Sequence, residues 1–362
     1  MKNKIFLIVF LLMMFPSIKA NAEDYTLKSG KSVTGSYNEA DYNYYKIKPS
    51  KNGYLAITSK TSNGSVLQMD ICNENKEVIA SDIKIKNKGT VFHKAKKGST
   101  YYLRIKGKQG ITYSISYKVN TIDTLEYAKK YNYIFTNASF YNQDNAITLK
   151  IKANKSGILN FMCNCNDKVI VKYLDSSKKV ISMSSILEKN SLTGIGVQSG
   201  KTYYIKMWKP DSSIAGTTSI NNMKYQIEKI SLSNHSSRSK AKELSKDKYV
   251  NTLVPAGKTT TTWYKIKMTK KKKLSITIES HMMQNNGQCL QLYICNSKGK
   301  KLNSNSIIID NEISVKYKNK KYIMTYPKKT FSTTVAFPVG TYYLKVESKT
   351  KTSSGSYQIK WK

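Results

Sequence analysis

The sequence predicts an all-β protein: three tandem antiparallel β-sandwich domains of jelly-roll type behind a signal peptide. Three observations carry this. Apolar and polar positions alternate over short segments, with Tyr101, Leu103 and Ile105 set against Tyr102, Arg104 and Lys106, as expected of a strand with one buried face. A turn followed by a Tyr-Tyr strand recurs three times along the chain. Long helical periodicity is absent after the N-terminus, apart from a short turn near Lys240 to Lys248.

The first element is a leader. Lys2 and Lys4 precede the apolar run Ile5 to Phe15, and Ala20-Asn21-Ala22 follows as a small-residue cleavage site, the three parts of a secretory signal peptide. Residues 1–22 are therefore expected to be removed, and the mature chain to be secreted. No later run approaches the roughly 18 apolar residues that a spanning helix needs. With no lipid-bearing cysteine at the cleavage site and a terminal strand at Gln358 to Lys362, any surface attachment is expected to be non-covalent.

The strands repeat in order. The turn-and-strand echo is Gly98-Ser99-Thr100-Tyr101-Tyr102, then Gly200-Lys201-Thr202-Tyr203-Tyr204, then Gly340-Thr341-Tyr342-Tyr343. Closing strands follow at Tyr113 to Tyr117, Tyr225 to Ile227 and Tyr357 to Trp361. Upstream, Tyr44-Tyr45-Lys46-Ile47 matches Trp263-Tyr264-Lys265-Ile266, with Ala146 to Ile151 as the distant middle version. Second strands begin at Gly53, Gly157 and Lys273. Such self-similarity predicts repeated domains, and stacking apolar sheet faces gives sandwiches of about 100 residues. The expected boundaries are 23–119, 120–231 and 232–362. A Ser-, Lys- and Asn-rich stretch at about 231–247 reads as a solvated linker. An extra hairpin is expected at about 305–330, through Ile307 to Asp310 and Tyr322 to Tyr326; it either carries function or extends a sheet edge.

Charge is the strongest compositional signal. The chain carries 61 Lys and Arg against 22 Asp and Glu, a net +39, and +36 without the leader's Lys2, Lys4 and Lys19. Only Arg104 and Arg238 are arginines, whereas bidentate phosphate sites favour the guanidinium fork. The charge therefore reads as spread out, with no nucleic-acid groove. It suits adhesion to an extracellular polyanion, or serves solubility alone.

The cysteines Cys72, Cys163, Cys165, Cys289 and Cys295 form an odd set, so they cannot all pair within the chain. Cys72 and Cys295 fall at matching points of two repeats, where the middle repeat has Leu174. A position accepting Cys or Leu is a buried apolar one. Cys163 and Cys165 lie two apart on one strand face, a poor geometry for a mutual disulfide, and partners for a four-ligand zinc site are not evident.

The segments Asp41 to Ile47, the Gly53 strand, Ile71 to Ile79 and the Gly-x-x-Tyr-Tyr strand with its closing partner resemble bacterial pre-peptidase C-terminal (PPC) domains. These jelly rolls accompany secreted peptidases and include the collagen-binding domains of clostridial collagenases. The resemblance covers most of the mature chain, weakest in the middle, and implies a binding or accessory role. It also raises calcium as a ligand of some relatives, but the acids here are few and scattered and no ligand set can be assigned. No catalytic domain is left over beside the three repeats.

No catalytic constellation stands out. His93, His235 and His281 sit in unrelated contexts, without metalloprotease spacing. Acids such as Asp70 and Glu74 carry no signal beyond their strand or turn setting. Catalytic, metal and cofactor sites are therefore not expected. The candidates for ligand contact are outward aromatics among the 27 tyrosines and three tryptophans: Tyr44, Tyr102, Tyr204, Trp263 and Tyr343, whose flat rings suit sugars or extended peptides. The competing reading is that they cover the outer sheet faces. The expected function is a secreted, non-catalytic adhesion protein holding a cell-wall polyanion, a glycan or a matrix protein. The alternative is an accessory protein for a secreted peptidase or another single protein partner.

Overall fold

The computed structural model describes residues 25–37, 42–62, 64–106, 109–211, 213–284, 290–302, 307–309 and 313–362. The leader, Asp41, Cys289 and Asp310 lie outside these residues. The described chain is almost entirely β, as the alternation predicts, with two short 3-10 turns at Asn137–Ser139 and Arg238–Lys240. Contacts divide it into two compact units. One runs through Thr90 and adds Ala95–Val119; the other takes Val91–Lys94 and Asn120–Lys362.

The first unit contains β1 (Tyr25–Thr26), β2 (Ser32–Ser36), β3 (Asn43–Ile47), β4 (Gly53–Thr61), β5 (Val66–Cys72), β6 (Val78–Lys86), β7 (Lys88–Ala95), β8 (Tyr101–Lys106) and β9 (Thr112–Asn120), except that Val91–Lys94 of β7 and Asn120 of β9 count with the second. One sheet has the order β1, β3, β8, β5, β6 and the other β2, β9, β4, β7. Leu55, Ile57, Leu103, Ile105 and Ile115 are fully buried, each at an inward position of its alternating strand.

The second unit repeats this order twice. Its first part contains β10 (Tyr131–Thr136), β11 (Ile147–Lys152), β12 (Gly157–Cys165), β13 (Val169–Leu174), β14 (Ser185–Leu187), β15 (Ser191–Val197), β16 (Thr202–Trp208) and β17 (Thr217–Lys229). The sheets run β11, β16, β13, β14 and β10, β17, β12, β15. The remainder contains β18 (Lys242–Glu243), β19 (Val250–Val254), β20 (Thr261–Met268), β21 (Ser275–Gln284), β22 (Leu290–Cys295), β23 (Ile307–Ile309), β24 (Ser314–Lys318), β25 (Lys321–Thr325), β26 (Lys328–Ser332), β27 (Gly340–Ser348) and β28 (Ser354–Trp361). Here the sheets run β18, β20, β27, β22, β23 and β19, β28, β21, β26, with β24 and β25 as a separate pair.

The Tyr-Tyr motif has a local purpose in each copy. The first tyrosine turns inward and its hydroxyl ties down the preceding turn: Tyr101 accepts from Lys96 N at 3.1 Å, Tyr203 accepts from Gln198 N at 2.9 Å, and Tyr342 donates to Pro338 O at 3.1 Å. The second tyrosine faces outward. Deeper in the core, Tyr45 and Tyr113 share a hydroxyl hydrogen bond of 2.9 Å, as Tyr264 and Tyr357 do at 2.8 Å. Burial raises the Tyr45 and Tyr264 phenols far above the usual tyrosine range, so both stay neutral donors and acceptors. Leu149 takes the corresponding place in the middle copy, since its strand partner Ile205 matches Leu103 and Leu344. That replacement is one reason the middle repeat is the weakest in sequence.

Each copy also opens on a short parallel segment that alternation does not reveal. Leu27, Leu125 and Leu244 are buried, and their amides donate to the carbonyls of Lys46, Lys150 and Lys265 at 2.9 Å in each case. The expectation of a solvated linker at 231–247 is corrected accordingly. The stretch is mostly exposed, but β18 pairs with β20 and Leu244 O accepts a 2.8 Å bond from Trp361 Nε1. Two paired residues are too short to show a period of two.

Within the second unit, β15 packs against β21 and β28. Its glycines make the approach close: a Cβ on Gly196 would sit 2.2 Å from Val254 O, and the Gly196 carbonyl accepts from Ala256 N at 3.0 Å. Gln284 Nε2 donates to Gly194 O at 3.2 Å, with Thr193 Oγ1 at 3.3 Å. Within the segment expected to carry the extra hairpin, β23 adds an edge strand beside β22, β26 begins at Lys328 and adds one beside β21, and the hairpin itself forms between β24 and β25, a separate pair whose Tyr322 donates to Ser191 O at 3.1 Å.

Candidate functional site

The outward tyrosines occupy equivalent register positions. Tyr102 lies between Lys46 and Cys72, Tyr204 between Lys150 and Leu174, and Tyr343 between Lys265 and Cys295. This agrees with the Cys72, Leu174, Cys295 correspondence read from sequence, and all three side chains are buried. Burial pushes the Cys72 and Cys295 thiols up, keeping them protonated packing groups.

A turn beside each outer face has one design. Asn73 Oδ1 accepts from the amides of Asn75 and Glu77, Asp175 Oδ1 from Ser177 and Lys179, and Asn296 Oδ1 from Lys298 and Lys300, all at 2.9–3.0 Å. One residue in each turn adopts positive φ: Lys76 at 61°, Lys178 at 62° and Gly299 at 84°. In the first two copies that lysine reaches over the aromatic face. Lys76 Nζ lies 4.9 Å from the Tyr44 ring centroid and 5.3 Å from that of Tyr102, and Lys178 Nζ lies 5.8 Å from Tyr204. These are cation–π distances. In the third copy glycine supplies no cation. Arg238 fills the space instead, with its guanidinium carbon 5.9 Å from the Tyr343 ring and Nη1 donating to Ser297 O at 2.8 Å.

The three faces differ in how much they present. On the first, the Arg104 guanidinium packs 4.3 Å from the Tyr42 ring centroid and donates through Nε and Nη2 to Asp70 Oδ2 at 3.0 and 2.6 Å. Tyr102 is only 6% exposed, and its nomination as a ligand contact is corrected. It sits on the central strand with the Tyr44 ring edge-on at 6.5 Å and Lys76 above. Tyr44, Tyr204, Trp263 and Tyr343 remain half-exposed. On the second face Lys172, flanking Lys206, reaches over the Trp208 ring at 5.7 Å. On the third, Trp263 and Tyr343 meet edge-on at 6.3 Å, Lys345 lies 5.7 Å from Trp263 and bonds Glu347 at 2.6 Å, and Lys301 covers Tyr293 at 3.6 Å.

The histidines stand apart in setting. His93 is buried, its Nδ1 2.8 Å from Thr136 Oγ1, and burial lowers its pKa to about 4. His235 Nδ1 is 3.0 Å from Lys240 O. His281 bonds Glu279 Oε1 at 2.9 Å and stacks on Tyr326. Cys163 and Cys165 are buried with sulfurs 3.5 Å apart, beyond the roughly 2.05 Å of a disulfide. Their mutual contact, then burial, holds the Cys163 thiol protonated. Among the described residues no three potential metal ligands cluster, and no helix is long and apolar enough to cross a membrane. A mainly apolar cavity of about 380 Å³ lies beside β26, between Leu274, Ile294, Phe331 and Phe337.

No family model and no curated protein matches the chain, so the PPC resemblance rests on sequence pattern alone. Solved structures give faint likenesses. The tandem CBM51 modules of Sp3GH98, a family 98 glycoside hydrolase from Streptococcus pneumoniae, are 9% identical over 54% of this chain and 84% of theirs, with a TM-score of 0.18. The M60 catalytic domain with its two CBM51 domains from Clostridium perfringens ZmpB is 8% identical over 89% of this chain and 54% of its own, with a TM-score of 0.19. A triple jelly-roll protein of an archaeal virus is 10% identical over 92% and 88%, with a TM-score of 0.20. Likenesses this slight say nothing about ligand or chemistry.

Proposed function

We propose that this chain is an exported, non-catalytic binding protein that holds an extracellular polymer through its cationic, aromatic outer sheet faces. The observation that carries this reading is the repeated pairing of an outward ring with a cation: Lys76 on Tyr44, Lys178 on Tyr204, Arg238 on Tyr343. A net charge of +39 for the full chain, +36 once Lys2, Lys4 and Lys19 go with the leader, draws such faces toward polyanions, and the rings add stacking area that a lysine coat alone lacks. The signal-peptide pattern of residues 1–22 supports export, and the PPC-like pattern fits an accessory role in binding. Retention of the mature protein on cell walls, extracellular matrix and purified glycans at low and physiological salt tests the reading. Binding that weakens steeply as salt rises supports it; no retention on any of them at low salt overturns it.

A second reading has one observation in its favour. Val180, Met183 and Ile186 are exposed beside the edge strand β14, an apolar feature suited to one protein partner such as a secreted peptidase. Salt-insensitive recovery of a single stoichiometric partner from culture supernatant, lost on Ile186→Lys, would favour it.

A further inference from the structure

Resting on that polymer-binding reading, we infer that the ligand site is the outer face of the third sandwich, and that it takes an acidic polysaccharide, with Arg238 receiving the carboxylate or sulfate and Trp263 receiving the sugar ring. The three faces share a plan, so their differences are informative. On the first face the guanidinium of Arg104 is consumed by Asp70 and covered by Tyr42, and Tyr102 is closed off. On the second face Tyr204 stands opposite Lys150 and Leu174, with no second outward ring in register with it.

The third face keeps both elements available. Trp263 and Tyr343 lie on adjacent strands with centroids 6.3 Å apart, and Trp263 is half-exposed whereas Trp208, the tryptophan of the second face, is buried. Arg238 is exposed, and its Tyr343 contact and the bond from Nη1 to Ser297 O hold the fork in place. Among the described residues no carboxylate lies within ion-pair distance of it; on the same sheet, Glu347 pairs with Lys345 and Glu243 with Lys267. A guanidinium held by one backbone bond and a ring retains donors in a planar fork that matches a carboxylate or sulfate. Gly299 stands where the other copies have the turn lysine, and a Cβ there would sit 3.2 Å from Arg238 Cδ, so a side chain at this position would push the arginine aside by a few tenths of an ångström.

Calorimetric titration of the full mature chain at about 50 mM salt tests this, using a hyaluronan octasaccharide, a chondroitin sulfate octasaccharide, a neutral chitin oligomer and inorganic polyphosphate as probes. At least one acidic sugar should bind, with the chitin oligomer about tenfold weaker or worse. Binding of both probes alike assigns the carboxylate that they share, and binding of chondroitin sulfate without hyaluronan assigns the sulfate. Arg238→Ala and Trp263→Ala should each weaken the acidic sugar about tenfold, with Arg238→Lys between Arg238→Ala and wild type, while Tyr127→Ala, at an exposed ring on the segment between β9 and β10, leaves binding unchanged. Polyphosphate, which has charge and no sugar ring, should be insensitive to Trp263→Ala. Melting curves establish that each variant is folded. Equal binding of neutral and acidic sugars overturns the inference, as does wild-type binding by both third-face variants. If those variants retain full binding to cell wall or matrix, the inference fails and the broader reading stands; if wild-type chain holds no polymer, the broader reading falls too.

Discussion

The Arg238 guanidinium stands over Tyr343 where Lys178 stands over Tyr204, although it comes from the segment before the third sandwich and Lys178 comes from the turn itself. The same cation–ring contact is thus reached by two routes, one local and one across 105 positions of sequence.

The Arg104–Asp70 pair should stabilise the first unit. Asp70 also accepts from Asp82 N at 3.1 Å, so Asp70→Ala strands both a guanidinium and an amide. A cost of about 1–3 kcal/mol is expected. A double-mutant cycle with Arg104→Leu, read by denaturant unfolding, should return a coupling of about 0.5–3 kcal/mol; additive losses would contradict the assignment.

Gly196→Ala should loosen the packing of β15 on β28. The new methyl would meet Val254 O at 2.2 Å and Gly355 O at 3.2 Å, both backbone atoms that cannot rotate away. Overpacking of this kind costs about 1–3 kcal/mol. Calorimetry should show the second unit's melting transition falling by several degrees, with the first unit's transition unmoved.

His93 predicts acid sensitivity. Its folded pKa of about 4 lies below the unfolded value of 6.5, so the fold favours the neutral ring. This contribution is present in full above pH 6.5 and is lost as pH falls from 6.5 toward 4. The integrated effect is about 3 kcal/mol. Stability measured between pH 7 and pH 4 should fall less in His93→Gln than in wild type.

Tyr322 should guard the buried thiols. Its hydroxyl donates to Ser191 O, on the strand position paired with Cys163, and burial, then the neighbouring Cys163, raises its phenol to about 12. Native-state labelling by a thiol reagent should be slow, and Tyr322→Ala should speed it several-fold with little change in global unfolding. Equal rates would mean that the hairpin does not cover this site.

Much of the fold was legible. The recurring Tyr-Tyr strand, and the correspondence of Cys72 and Cys295 with Leu174, follow from a period-two pattern that each strand carries within itself. Burial of Tyr102 was not legible, because alternation places a ring on a face without saying which side chains of neighbouring strands lie over it. Leu27, Leu125 and Leu244 escaped notice because their strand segments are too short to alternate. The role of Arg238 was hidden in a stretch whose composition resembles a linker.

By itself, then, the sequence determined the all-β class, the order of strands and which rings face outward, since these depend on residues adjacent along the chain. Only the tertiary structure decided which outer face is closed and which is open. That outcome depends on side chains brought together from distant strands: Asp70 to Arg104, Lys76 to Tyr44, and Arg238 to Tyr343.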